Sequence, residues 1–305
     1  MTRIGLDVSD DEPRDTSPSR RSPWRSCYVF IEPSEPIEAV LIDIVEDIRA
    51  LAPDRASWFF IRYSEDGYHL RVRVRDFDDA AFAALVDRTR ERAAARLGRA
   101  VRLTLTNYEP EVQRYGGSIA ILENEALFEL SSELALRIIA ASASQPARRI
   151  NHAVELMLAV PVALELTPAG AATFFGQYSA SWLTTFEADA ADFGDSDLVL
   201  PPETLRRRLA ALAAPGDAPA TPGTLWSRAL ERSVVKFRGL AAQGELVSPF
   251  DGAQVENATR LTATLGSMLT SQLHMLNNRL GLSPIQEYHL SCSMRDAFYR
   301  GDPVA

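Results

Sequence analysis

Residues 58–75, WFFIRYSEDGYHLRVRVR, restrict the fold of this chain more than any other stretch. An aromatic and β-branched run at 58–62 is followed by turn formers at 64–67. Strict alternation then runs from Tyr68 to Arg75. The pattern predicts a β-hairpin, two strands around a turn of four or five residues. In the second strand Leu70, Val72 and Val74 fall on one face, and Arg71, Arg73 and Arg75 on the other, because successive side chains point to opposite sides of a sheet. His69 has the parity of the arginines. The arginine row has two readings. It can be a wet face whose arginine stems cover the sheet. It can also be an anion site, because guanidinium forks bind carboxylates with two bonds and stay charged at any working pH.

The rest of the chain can bury a sizeable core. Of its 305 residues 46% are hydrophobic and 24% charged, which are globular values and fit one large domain or two. The net charge of −9 argues against a generic nucleic-acid binder, although a local basic patch is compatible with it. Cys27 and Cys292 are the only cysteines and have no zinc spacing. Free thiols in a reducing cytoplasm are the expectation. No run of 18 apolar residues predicts a membrane span, and the polar start has no signal-peptide pattern.

In chain order, residues 1–22 read as a mobile polar tail, and residues 23–305 as one domain. A strand is expected at 24–31. A helix follows at 37–51, with apolar positions 37, 40, 41, 44, 45, 48 and 51 on one face and acids on the other. After the hairpin come a helix at 78–97, capped by Gly98, and a strand at 101–106. The segment 108–117, YEPEVQRYGG, breaks the regularity. Pro110 stops pairing, and Gly116 and Gly117 permit backbone angles closed to other residues. From 118 to 302 the text is helical, with helices at 119–142, 150–165, 167–190, 203–213, 225–243, 257–280 and 283–300. Residues 214–223, APGDAPATPG, look like a linker and are read as a loop between helices. The fold class is therefore α+β. A mainly antiparallel sheet with packed helices occupies about 23–117, and a largely helical half follows.

Few groups can move protons. Of the four histidines, His69 sits beside the arginine row, and His152, His274 and His289 lie on helices. A lone helical histidine becomes an acid or base only where a site surrounds it. The chain has no HExxH, no CxxC, no phosphate-binding glycine loop and no GxSxG elbow.

The hairpin, the YEPEVQRYGG corner and a late helix with H-x-x-x-N-R, in that order, resemble the C-terminal elimination domain of lantibiotic dehydratases. That domain also occurs alone, as a thiopeptide-type bacteriocin biosynthesis protein. The resemblance runs from about Trp24 to about Tyr299. It does not extend to the large glutamylation region of full-length dehydratases, so a split system is implied.

The resemblance implies that a separate protein uses glutamyl-tRNA to esterify Ser or Thr of a leader-bearing precursor peptide. This chain would then eliminate glutamate to leave dehydroalanine or dehydrobutyrine. The family's arginines in the HLR-x-R strand fall on Arg71 and Arg73, its arginine before Tyr-Gly-Gly on Arg114, and its late histidine on His274. Tyr108, Glu111, Tyr115, Asn278 and Arg279 are implied as substrate-binding or positioning residues. No cofactor, metal, membrane or direct nucleic-acid contact is implied, and a homodimer is left open. Two other readings stand beside elimination. One is the formal [4+2] pyridine synthesis of the same domain family, which needs no glutamate site. The other is a peptide-binding subunit without catalysis.

Overall fold

A computed structural model describes residues 24–51, 57–142, 145, 147–194, 196, 200–213 and 220–301. The expected tail at 1–22 and positions 214–219 of the linker-like stretch lie outside these. The element order is β1 (Arg25–Phe30), α1 (Ile37–Leu51), β2 (Ser57–Tyr63), β3 (His69–Arg75), α2 (Asp79–Leu97) and β4 (Leu103–Asn107). Then come α3 (Ala120–Ala141), α4 (Ala147–Ala163), α5 (Pro168–Thr185), a 3-10 turn (Ala190–Phe193), α6 (Pro202–Ala213), α7 (Pro222–Ala242), α8 (Ala258–Leu280) and α9 (Pro284–Gly301).

The four strands form one antiparallel sheet in the order β2-β3-β1-β4. The hairpin register pairs Tyr63 with His69 across a five-residue turn in which Asp66 and Gly67 take positive φ. One face carries Val29, Phe60, Leu70, Val72 and Val74, all buried. It packs on α1 and α2 through Leu41, Ile44, Leu85 and Val86. Burying one such side chain contributes roughly 1.5–3 kcal/mol. The apolar cluster continues without a break to Phe298 on α9.

Asp43 and Asp47 on α1 depart from the expected wet face of that helix. Both are buried between α1 and α2. Arg88, Arg92 and Arg96 follow each other at four-residue intervals along α2, so they form a ladder opposite these two acids. The other face of the sheet is wet only in part. Ser26, Phe59, His69 and Arg75 are buried there, with Phe59 packed on Tyr115 of the 108–117 corner and Phe128 of α3, whereas Thr104 and Thr106 of β4 are exposed.

Most helix ends follow local chemistry. Asp78, Thr167 and Asn257 accept from backbone N–H groups as N-caps, and Gly98 and Gly281 close α2 and α8 in the left-handed region. Some boundaries differ from expectation. The last residues of the linker-like stretch start α7, because Thr221 forms a capping box and Pro222 suits a first turn. Helix α5 stops at Thr185 rather than 190, since Glu187 turns to φ 49° and Asp189 caps the 3-10 turn instead. Helix α4 starts at Ala147, three residues early. Among the described residues no helix is long and apolar enough to cross a membrane.

Candidate functional site

Strand parity places Arg71, Arg73 and Arg75 side by side, but their surroundings separate them. Arg75 is neutralised. It donates to Glu129 Oε1 at 3.0 Å and to Ser57 Oγ at 3.1 Å, and Glu125 stands at 3.5 Å. Arg71 instead lies between two tyrosines, its guanidinium carbon 3.4 Å from the Tyr63 ring centre and 4.6 Å from that of Tyr28. Its Nε donates to His69 Nε2 at 3.0 Å, while His69 Nδ1 donates to the Gly67 carbonyl at 2.7 Å. These two bonds require a neutral His69, and burial, the leading influence, lowers its pKa. Arg73 lies over Tyr108 at 4.6 Å and Phe59 at 5.2 Å, and its buried Nε has no hydrogen-bond partner. Among the described residues no carboxylate pairs with Arg71 or Arg73.

The 108–117 corner brings further groups to this face. Gly116 and Gly117 have φ of 88° and 107°. A Cβ on Gly116 would also stand 2.9 Å from both Leu246 Cδ1 and Met268 Sδ. Backbone and packing therefore both require glycine there. The corner seats Tyr115 against Phe128 and Tyr108 against Phe59. Burial, above all, raises both phenol pKa values, that of Tyr115 to about 12, so both remain hydroxyl donors. Arg114 donates from Nε to Ser271 Oγ at 3.1 Å and from Nη1 to Glu111 Oε2 at 3.2 Å. Glu111 is exposed, so the latter pair adds little.

Ser271, His274 and Asn278 lie on one stripe of α8, at spacings of three and four. Asn278 spends its amide on the backbone of Arg62 in β2, so it braces the helix against the sheet edge. Arg279 is fully buried. Its Nε donates to Ser132 Oγ at 3.0 Å, but Nη1 and Nη2 have no partner. Burial pulls its pKa down to about 9, which leaves it charged at neutral pH.

His274 Nδ1 stands 3.1 Å from Glu287 Oε1, and its ring meets Trp182 edge-on at 4.8 Å. Glu287, on α9, is fully buried and also accepts from Asn277 Nδ2 at 3.1 Å and from the Tyr178 hydroxyl. The sequence reading missed this carboxylate. In sequence it is one acid in the first turn of a helix, where an acid normally serves the helix dipole. Tyr28, Tyr63 and Ser271 were missed too. Tyr28 is a strand residue whose neighbourhood with Arg71 depends on the β1–β3 register.

The expected residues thus fall into separate groups. Arg73, Tyr108, Tyr115 and Arg279 meet the aromatic cluster against the sheet, Arg71 lies between Tyr28 and Tyr63 on the same strand as Arg73, and Arg114 reaches Ser271 on the α8 stripe that carries His274. A separate groove of about 360 Å³ is lined by Ser196, Tyr288, His289, Cys292, Ser293 and Arg295 among others, and by none of the four expected catalytic residues. Among the described residues no three His, Cys, Asp or Glu side chains cluster as metal ligands.

The model of a protein family described as lantibiotic biosynthesis dehydratase, C-terminal, matches residues 24–298. No curated protein matches the sequence. Among solved structures, the pyridine synthase TbtD from thiomuracin biosynthesis superposes with a TM-score of 0.63 at 16% identity, over 90% of this chain and 97% of that one. TsrL superposes with a TM-score of 0.66 at 18% identity, over 92% and 95%. The tRNA-dependent lantibiotic dehydratase MibB from Microbispora sp. 107891 gives 0.52 at 21% identity, over 90% of this chain but 28% of that one. At these identities the likeness is one of fold.

Proposed function

The chain belongs to the lantibiotic dehydratase C-terminal family, and we propose that within it this protein eliminates glutamate from glutamylated Ser or Thr of a precursor peptide. The observation that carries this reading is the contrast within the arginine row. Arg75 is neutralised by two glutamates, whereas Arg71 and Arg73 meet tyrosines and no carboxylate among the described residues. Charges kept unpaired in a partly buried place suit a ligand that brings its own negative charge.

In the proposed reaction a base removes the Cα proton, its electron pair becomes the Cα–Cβ double bond, and the Cβ–O bond breaks. Glutamate leaves as a carboxylate, and dehydroalanine or dehydrobutyrine remains. Arg71 and Arg73 would bind the glutamyl carboxylates and offset charge on the departing oxygen, with Arg114 at the α8 side. His274 would handle the proton as base, as acid toward the leaving group, or as both in turn. The partners of this reading are a leader-bearing precursor peptide and a separate tRNA-dependent glutamylating protein.

A second reading, formal [4+2] joining of two dehydroalanines, draws on the groove at α9, where Tyr288, Ser293 and Ser196 supply polar groups without the arginine row. Peptide binding without catalysis would use β4, a sheet edge whose Leu105 is 56% exposed.

Mass spectrometry of a leader-bearing peptide with one glutamylated serine distinguishes these. Wild type should release glutamate and leave dehydroalanine, and Arg71→Ala or His274→Ala should slow this by about a hundredfold or more. An untouched ester would overturn the reading. Leader expulsion from a peptide already carrying two dehydroalanines would establish the second one.

A further inference from the structure

Glu287 joins three helices at a point that no motif marks. It projects from α9 into full burial and collects donors from Tyr178 on α5 and from Asn277 and His274 on α8. Among the described residues no arginine or lysine pairs with it, and such a buried carboxylate is costly unless its lone pairs are filled. Here Oε2 takes two donors, and Oε1 is left for the imidazole. Burial, then the neighbouring Glu287 charge, raises the Tyr178 pKa well above its usual value, so that hydroxyl donates and cannot accept a proton from the pair.

We propose that Glu287 is a positioning residue that holds His274 in the Nδ1–H tautomer and so makes Nε2 the atom that exchanges a proton with substrate. The inference rests on the reading of His274 as the proton-transfer group, but the dyad itself can be tested without any reaction. An ionised acceptor at Oε1 demands N–H at Nδ1, which leaves the Nε2 lone pair free in the neutral ring. The Trp182 ring packs against the imidazole in a T-shaped contact at 4.8 Å, and the His274 side chain remains 26% exposed. The other titratable or charged groups nearby are Tyr178 behind the carboxylate and Arg114, which reaches Ser271 one turn earlier on α8. Neither offers Nδ1 an acceptor. This division of labour, in which a buried carboxylate orients and a histidine transfers, is a general solution to proton transfer at neutral pH.

The test is a ¹⁵N NMR titration of the histidine rings in the full chain. Only four histidines are present, and the His274 signals are those lost in His274→Gln. The neutral ring of wild type should carry its proton on Nδ1. In Glu287→Gln the oxygen is expected to keep the Tyr178 and Asn277 donors and the amide to face Nδ1, so the proton should move to Nε2. Elimination should slow by about a hundredfold or more. Glu287→Asp, which keeps the charge, should restore the Nδ1–H tautomer in part. An Nε2–H tautomer in wild type overturns the proposal. So does a Glu287→Gln protein whose tautomer is unchanged while its thermal unfolding shows it folded. If Glu287→Gln fails to fold, the wild-type tautomer alone decides. An Nδ1–H ring in a protein that eliminates no glutamate would leave the dyad standing and remove the reaction assigned to it.

Discussion

Asn278 completes both hydrogen bonds of the Arg62 backbone, accepting from its N–H at 2.8 Å and donating to its carbonyl at 2.9 Å, across 216 residues of sequence. Strand β2 is an edge of the sheet, and its outward amides would otherwise lack partners. Ser132 on α3 takes the Phe60 N–H in the same way. Asn278 therefore fixes α8 against the sheet, one turn from His274. Asn278→Ala should lower stability by about 1–3 kcal/mol, since it leaves two backbone groups unmatched. Thermal unfolding followed by circular dichroism should show a fall of several degrees. An unchanged Tm would mean that water replaces the amide and that Asn278 braces nothing.

Arg71 is held as a plane as well as a charge. It lies between Tyr28 and Tyr63 and is oriented by neutral His69. Lysine supplies the charge but neither the fork nor the flat surface. Arg71→Lys is accordingly expected to lose a substantial part of what Arg71→Ala loses, about tenfold or more in elimination rate. A lysine variant with wild-type rate would show that a point charge is all the site requires.

Arg279 holds a charge in full burial with two unmatched nitrogens. Replacing even a paired buried charge by packed apolar groups is often neutral or stabilising by about 1–4 kcal/mol, and Arg279 has no ion pair among the described residues to offset its burial. Arg279→Met should therefore unfold at a higher temperature, while glutamate elimination slows because a cation near Arg73 is gone. A variant that is both less stable and fully active would refute this trade.

Acid should loosen α1 from α2. Burial pushes the Asp43 carboxyl up, but hydrogen bonds and charge from Arg96 and Arg92 outweigh it, so its folded-state pKa lies below the ordinary value. Glu38 follows the same pattern, with Arg149 and Arg62 outweighing burial. A carboxyl with a depressed folded pKa stabilises the fold above its unfolded pKa of about 4, and that stability is lost as pH falls through the folded value. Tm should hold from pH 7 to about 5 and drop below about 4. Asp43→Asn should start lower at pH 7 and show a shallower acid slope. Parallel acid curves for the two proteins would contradict the assignment.

The elements of this protein were legible in the sequence because their signals are local. The alternation in β3 determined which side chains share a face, the 3.6-residue period of α1 determined its buried stripe, and Gly116 and Gly117 marked a corner where positive φ is needed. The family pattern likewise pointed to Arg71, Arg73, Arg114 and His274 from three short stretches. What each of these residues meets was decided only by the tertiary structure. Arg75 has the same parity as Arg71 and Arg73, yet it is cancelled by Glu125 and Glu129 from a helix 50 or more residues away. Asp43 and Asp47 look like wet acids until α2 sets three arginines opposite them. Glu287 carries no signal of its own, since a carboxylate becomes a partner for His274 only when α5, α8 and α9 close around it. Periodicity is set by backbone geometry over a few residues. Charge pairing and burial are set by which surfaces meet, and those contacts join residues that nothing in the local sequence connects.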